Sequence, residues 1–315
     1  MVRTGKESDL SSSSRRRFVR ALASVAAAGT LGASPAVSLP NPAGYATIAW
    51  PREEFAHALD TISRLGFRGV QMLGWTREAY PAYRVQELRD HLSSLKLKPV
   101  ALSCSGARVS PEGQQNEIGE VRSYAGFFSR VGGAFLQITD SGSPTREYSA
   151  EDIESLGERM NGLGILAQRF GLTLGYHPHF GTLGETRQGL GRVMAATDPR
   201  HVKLIADVAH LALGGSDPAE VIRTYAERLC FLHLKDVRKE VAAAARQDRN
   251  LVKGPPFCEI GLGVVDFPAV IETLRAVRFS GWAIVELDGG NSTLGGPDSS
   301  AVKNRDALRG LGFNL

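Results

Sequence analysis

The chain has 315 residues, with 37 lysines and arginines against 33 acidic residues and a formal net charge of +4. Residues 1–36 carry six basic groups and two acidic ones, so the remainder holds 31 of each sign and is neutral. Without a basic surplus it lacks the footprint that a phosphate backbone requires, and no nucleic-acid partner is expected. Cys104, Cys230 and Cys258 show no CxxC spacing, which excludes a zinc ribbon and a disulfide framework.

Residues 1–36 read as an address. Arg15, Arg16 and Arg17 precede Phe18, then a weakly apolar run from Ala21 to Leu31, then the small residues Ala33-Ser34-Pro35-Ala36. This order resembles a twin-arginine signal, which exports proteins already folded, and it implies a periplasmic location. The run is too short and too weakly apolar for a secure span, so no stable membrane span is expected after processing.

From about Tyr45 short apolar runs alternate with amphipathic stretches. Ala46–Trp50 reads as strand 1, and Glu53–Leu65 as a helix with Phe55, Leu59, Ile62 and Leu65 spaced by three and four. Gly66 and Gly69 then turn the chain into strand 2, Val70–Leu73. Further strands are expected at Pro99–Ser103, Ala134–Thr139, Leu172–His177, Val202–Asp207, Leu229–Leu234 and Ala283–Leu287, each followed by a helical pattern. Eight such units without a Gly/Ser or Pro linker predict an α/β fold, a single-domain (β/α)8 TIM barrel over residues 37–315. The longest irregular stretch, Arg238–Gly263, reads as a lid at the catalytic end, and Asp266-Phe267-Pro268 as a helix cap with its first turn.

Four of these strands stop at side chains of metal-ligand type: His177, Asp207, His233 and Glu286. Counting back by two gives one inward row per strand: Thr173, Gly175 and His177; Ile205 and Asp207; Phe231 and His233; Ile284 and Glu286. The four therefore point into the barrel mouth, where barrel enzymes place their chemistry. His210, three residues past Asp207, reads as a group orienting a ligand or touching substrate. His179 shares a face with His177 and offers a substrate contact or a brace for the turn. Lys235 points the same way as His233, toward a substrate oxygen or a salt bridge. Trp75, after strand 2, is either packing or a sugar-stacking wall. His57, His91 and His201 read as surface or structural residues.

Three stretches carry a family resemblance: Tyr176-His177-Pro178-His179-Phe180-Gly181-Thr182; Asp207-Val208-Ala209-His210-Leu211-Ala212 with Gly214-Gly215-Ser216-Asp217-Pro218; and Phe231-Leu232-His233-Leu234-Lys235-Asp236-Val237-Arg238. They resemble the xylose isomerase-like barrel family of sugar isomerases, sugar epimerases and inosose dehydratases, and look most like its inosose dehydratase members. The resemblance implies one divalent metal ion held by His177, Asp207, His233 and Glu286. Two departures stand out: His177 occupies a position where many members carry glutamate, and Gln71 ends strand 2 where Val-Glu is common. Mixed imidazole and carboxylate ligation suits Mn, Co, Fe or Zn better than Ca.

The expected substrate is a small keto-sugar or cyclitol, its α-proton removed to give a metal-bound enediolate. Reprotonation then isomerises or epimerises, and loss of a β-hydroxyl dehydrates. Glu286, His177 and Lys235 are the expected catalytic residues, with His179, His210 and Trp75 on the substrate. The rival readings are a non-catalytic periplasmic sugar-binding barrel and a metal-dependent phosphodiesterase like the barrel endonucleases. No Gly-x-Gly-x-x-Gly turn follows strand 1, so no nicotinamide is expected.

Overall fold

A computed structural model of the chain describes residue 1 and residues 39–104, 106–109, 114–143 and 145–315. The segment read as an export signal lies outside the described residues. Residues 38–315 gather into one unit. No helix among the described residues is long and apolar enough to cross a membrane.

Eight parallel strands close into a barrel: β1 (Ala43–Ala46), β2 (Gly69–Leu73), β3 (Lys98–Ser103), β4 (Phe135–Ile138), β5 (Thr173–Tyr176), β6 (Val202–Asp207), β7 (Leu229–Leu234) and β8 (Trp282–Val285). Each strand pairs with its sequence neighbour, and β8 pairs with β1 to complete the ring. Alternation along the strands sorts the side chains. Ile205, Phe231 and Ile284 share a buried cluster with Ala46, Val100 and Ala101, which fills the barrel. Their neighbours Leu204, Ala206, Leu232, Leu234, Ala283 and Val285 belong to the larger core beneath the helices. Gly175 faces inward, and a Cβ there would stand 2.6 Å from Ile205 Cδ1.

Two expectations change. The first barrel strand is Ala43–Ala46 rather than Ala46–Trp50, because Thr47–Ala49 winds into a short 3₁₀ turn. The barrel demands Gly44 in that strand: a Cβ there would meet Ile284 Cδ1 at 2.6 Å and Gly69 O at 2.8 Å.

The stretch after β7 is ordered rather than irregular. Asp236–Val237 pairs antiparallel with Phe257–Cys258, and a helix spans Lys239–Gln247 with Val241 and Ala242 buried. The Asp236 carboxylate accepts hydrogen bonds from the backbone N–H of Val237 (2.8 Å), Gly261 (3.0 Å), Gly263 (2.9 Å) and Val265 (2.9 Å). A fully buried carboxylate with four donors staples this segment to the end of β7. Asp266 then caps the next helix through Ala269 N at 3.0 Å, with Pro268 in its first turn.

Candidate active site

Strands β5 to β8 are neighbours in the ring, so their C-terminal ends open side by side. β6 ends at Asp207, which also caps the helix Val208–Leu213: Oδ1 accepts from Ala209 N at 2.9 Å and His210 N at 3.0 Å. That division leaves Oδ2 for the mouth. Around it stand His177 Nε2 at 3.3 Å, His233 Nδ1 at 3.4 Å, Lys235 Nζ at 3.3 Å and His210 Nε2 at 3.9 Å. Glu286 joins through Lys235 Nζ, 2.7 Å from its Oε1, and His233 Nε2, 3.4 Å from its Oε2. His177, Asp207, His233, Glu286, Lys235 and His210 are all buried, none more than 4% exposed.

The electrostatics follow from putting charges where water is absent. Burial pushes the Lys235 ammonium down and the two carboxyls up, but mutual attraction wins. The pKa of Lys235 stands above its ordinary value because Asp207, Asp288 and Glu286 surround it. Against burial, Lys235 and the histidines hold Asp207 well below the usual carboxylate range and Glu286 down to about 2. Burial drives His177 down to about 4 and His210 well below the ordinary histidine value, the latter also repelled by Lys235. Both imidazoles are neutral at pH 7.

His210 has a fixed polarity. Its Nδ1 accepts from the backbone N–H of Phe180 at 3.1 Å, so the neutral ring carries its proton on Nε2. His177, Asp207, His210 and Glu286 bring ligand atoms within 4.8 Å of one another. In this tautomer, however, His210 presents a donor rather than a lone pair. Its Nε2 and Lys235 Nζ lie 3.3 Å apart as two donors aimed at Asp207 Oδ2.

The ring of His179 packs on that of His210, centroids 3.7 Å apart, and its Nδ1 donates to Phe180 O at 2.7 Å. Phe257, from the segment after β7, closes over the group 4.5 Å from Lys235 Nζ and 4.7 Å from the His210 ring. Trp75 is not drawn in. It packs edge-on against Phe55 at 5.3 Å beneath Arg52 and lines a groove with Tyr80 and Arg84. His57, His91 and His201 sit on the outside, bonded to Asp298, Asp60 and Gln168.

Three residues of the cluster carried no role in the sequence reading. Gln71 stood only as an absent carboxylate, yet its amide touches both Glu286 and His233. Gln137 is the one polar residue of β4, and that inward polarity in Phe135-Leu136-Gln137-Ile138 was its signal. Asp288 lies two residues past Glu286 and reaches Lys235 Nζ at 3.6 Å from the rim. Burial raises its carboxyl pKa, with Glu286 and Asp207 adding to the shift against the pull of Lys235.

Neutral buried imidazoles give the metal-free protein a defined acid response. An unfolded chain takes up a proton as the pH falls below 6.5, whereas folded His177 resists until about 4. Its contribution to stability is therefore full above pH 6.5 and lost between there and about 4, roughly 3 kcal/mol, with His210 acting in the same direction. The thermal midpoint of chelator-treated protein should fall steeply across this window; a midpoint flat from about pH 7 to about 4.5 contradicts the assignment.

A closed parallel barrel whose strand C-termini gather carboxylates, imidazoles and a buried lysine is the arrangement on which (β/α)8 enzymes build their active centres. The model of the xylose isomerase-like TIM barrel family matches residues 59–311, and the chain belongs to that family. Its relatives include an inosose dehydratase from Geobacillus thermodenitrificans, 26% identical over 291 residues and covering 84% of this chain and 95% of the relative. Solved structures of similar fold include a 3-keto-D-glucoside 4-epimerase from E. coli (TM-score 0.66, 18% identity, 86% of this chain and 98% of the other). The IolI protein with a bound zinc atom is another (TM-score 0.66, 16% identity, 86% and 95%).

Proposed function

We propose that this protein is a metal-dependent lyase or isomerase that removes the proton α to the carbonyl of a keto-sugar or cyclitol, forming an enediolate that is isomerised, epimerised or dehydrated. The observation that carries the reading is Asp207 Oδ2, buried at a strand C-terminus with His177, His233 and Lys235 all within 3.4 Å of it. The names of the relatives, inosose dehydratase and 3-keto-D-glucoside 4-epimerase, support the substrate class.

The donor chemistry fits a divalent cation, with two ionised carboxylates and neutral imidazoles in one buried group. His177, Asp207, His233 and Glu286 would hold Mn, Co, Fe or Zn. When bound, such an ion supplies Lewis-acid polarisation of a carbonyl. The chain's own residues do the rest. Glu286, kept ionised, is the base for the α-proton. The Lys235 ammonium donates to substrate oxygen and compensates the charge that develops there. His210 Nε2–H is a further fixed donor facing the same space, and His179 packs behind it. Phe257 covers the cluster against water.

A panel of keto-sugars and inososes followed by NMR tests this reading. Turnover that disappears with a chelator and returns with a divalent ion supports it, and equal turnover by the metal-free protein overturns it.

We also propose that residues 1–36 direct export to the periplasm by the twin-arginine route. Arg15→Lys with Arg16→Lys should abolish periplasmic accumulation while leaving the activity of the purified protein unchanged. Normal accumulation of the double variant in periplasmic extracts contradicts the proposal.

A further inference from the structure

Two buried amides, Gln71 in β2 and Gln137 in β4, run across the barrel between His233 and His177. Gln71 is 1% exposed and Gln137 7%. Gln71 Nε2 stands 3.0 Å from Glu286 Oε2, 3.1 Å from Gln137 Oε1 and 3.0 Å from Ser103 Oγ, while its Oε1 is 2.7 Å from His233 Nε2. Gln137 Nε2 is 3.1 Å from His177 Nδ1.

Donor and acceptor rules fix the direction of this chain. An ionised carboxylate only accepts, so Glu286 obliges Gln71 to turn its nitrogen toward it and its oxygen toward His233. An amide oxygen also only accepts, so His233 carries its proton on Nε2. In the neutral ring Nδ1 is then bare, facing Asp207 Oδ2 and His177 Nε2, both 3.4 Å away. The second proton of Gln71 goes to Gln137 Oε1, which turns the Gln137 NH₂ toward His177. That nitrogen must accept, so His177 carries its proton on Nε2, pointing at Asp207 Oδ2, 3.3 Å away.

We propose that Gln71 and Gln137 are positioning residues, a directed amide relay that assigns opposite parts to the two histidines: His233 offers a lone pair to the site and His177 a hydrogen. Resting on the metal reading, it follows that His233 is ready to ligate as it stands, whereas His177 is ready only after the Gln137 amide turns over. Gln71 Nε2 has two protons and three acceptors, so Ser103 Oγ takes the bond that Gln137 gives up. A glutamate at position 71 would face Glu286 at the same separation as two like charges, which is why a neutral amide serves there.

NMR of ¹⁵N-histidine-labelled protein reads the tautomers directly. In the metal-free protein both His233 and His177 should carry the proton on Nε2. Zinc should move the His177 proton to Nδ1 and leave His233 on Nε2. Gln71→Met should release His233 from its single tautomer and weaken zinc binding by about 10- to 100-fold. Gln137→Met should release His177 alone, and it tests the relay independently where Gln71→Met fails to fold. His233 protonated on Nδ1 in the metal-free protein, or parental tautomers and zinc affinity in both variants, overturns the relay. Metal-free tautomers as stated with no response to zinc uphold the relay and overturn the metal reading instead.

Discussion

Replacing Glu286 by Gln is expected to lower turnover by about 10²- to 10⁴-fold, the usual worth of a positioned general acid or base. The side chain keeps its shape but loses the charge on which its two contacts depend. Oε1 accepts from Lys235 Nζ at 2.7 Å and Oε2 from Gln71 Nε2 at 3.0 Å. An amide has only one oxygen, so its NH₂ must confront either the ammonium or the amide of Gln71, donor against donor. Both the base and a cation donor are lost. Steady-state rates on a turned-over substrate, with circular dichroism to establish folding, give the comparison; a folded variant within about threefold of the parent contradicts the role.

The second large effect is on stability. Lys235→Met removes the one cation among Asp207, Glu286 and Asp288, and leaves carboxylates buried without compensation. Breaking a buried ion pair in this way costs about 3–5 kcal/mol, which lowers the thermal midpoint of a chain of this size by roughly 10 °C. A divalent ion supplies the missing positive charge, so manganese or zinc should restore a larger share of the midpoint in the variant than in the parent. Thermal unfolding with and without metal makes the measurement. A midpoint within about 2 °C of the parent, in chelator, contradicts the electrostatic account.

How far the sequence foretells this molecule depends on whether a feature is local. Strands β6 and β7 coincide with their expected bounds, Val202–Asp207 and Leu229–Leu234, because each is an apolar run cut off by a polar end. The period-two count placed Ile205, Phe231 and Ile284 inside, and they share one cluster. The same count located the strand ends on which the cluster is built. β1 escaped because Gly44 owes its place to Ile284 and Gly69, partners far along the chain. The helix Lys239–Gln247 was hidden in the segment Arg238–Gly263, read whole as an irregular lid, although Ala242–Ala245 is a run of good helix formers. The roles of Gln71 and Gln137 lie in distances to Glu286, His233 and His177, which only the closed ring creates. Trp75 shows the converse, an aromatic near the mouth whose position is settled by Phe55 and Arg52.

Proton exchange with solvent tests the enediolate most directly, because that step precedes isomerisation, epimerisation and dehydration alike. The protein, loaded with a divalent ion, is incubated in deuterated water with a keto-sugar or inosose that it turns over, and the carbon α to the carbonyl is followed by NMR. Deuterium should enter at that carbon in the metal-loaded protein and not in the chelated one. Product free of deuterium, under conditions where the transferred proton equilibrates with solvent, contradicts the account and points to a hydride shift.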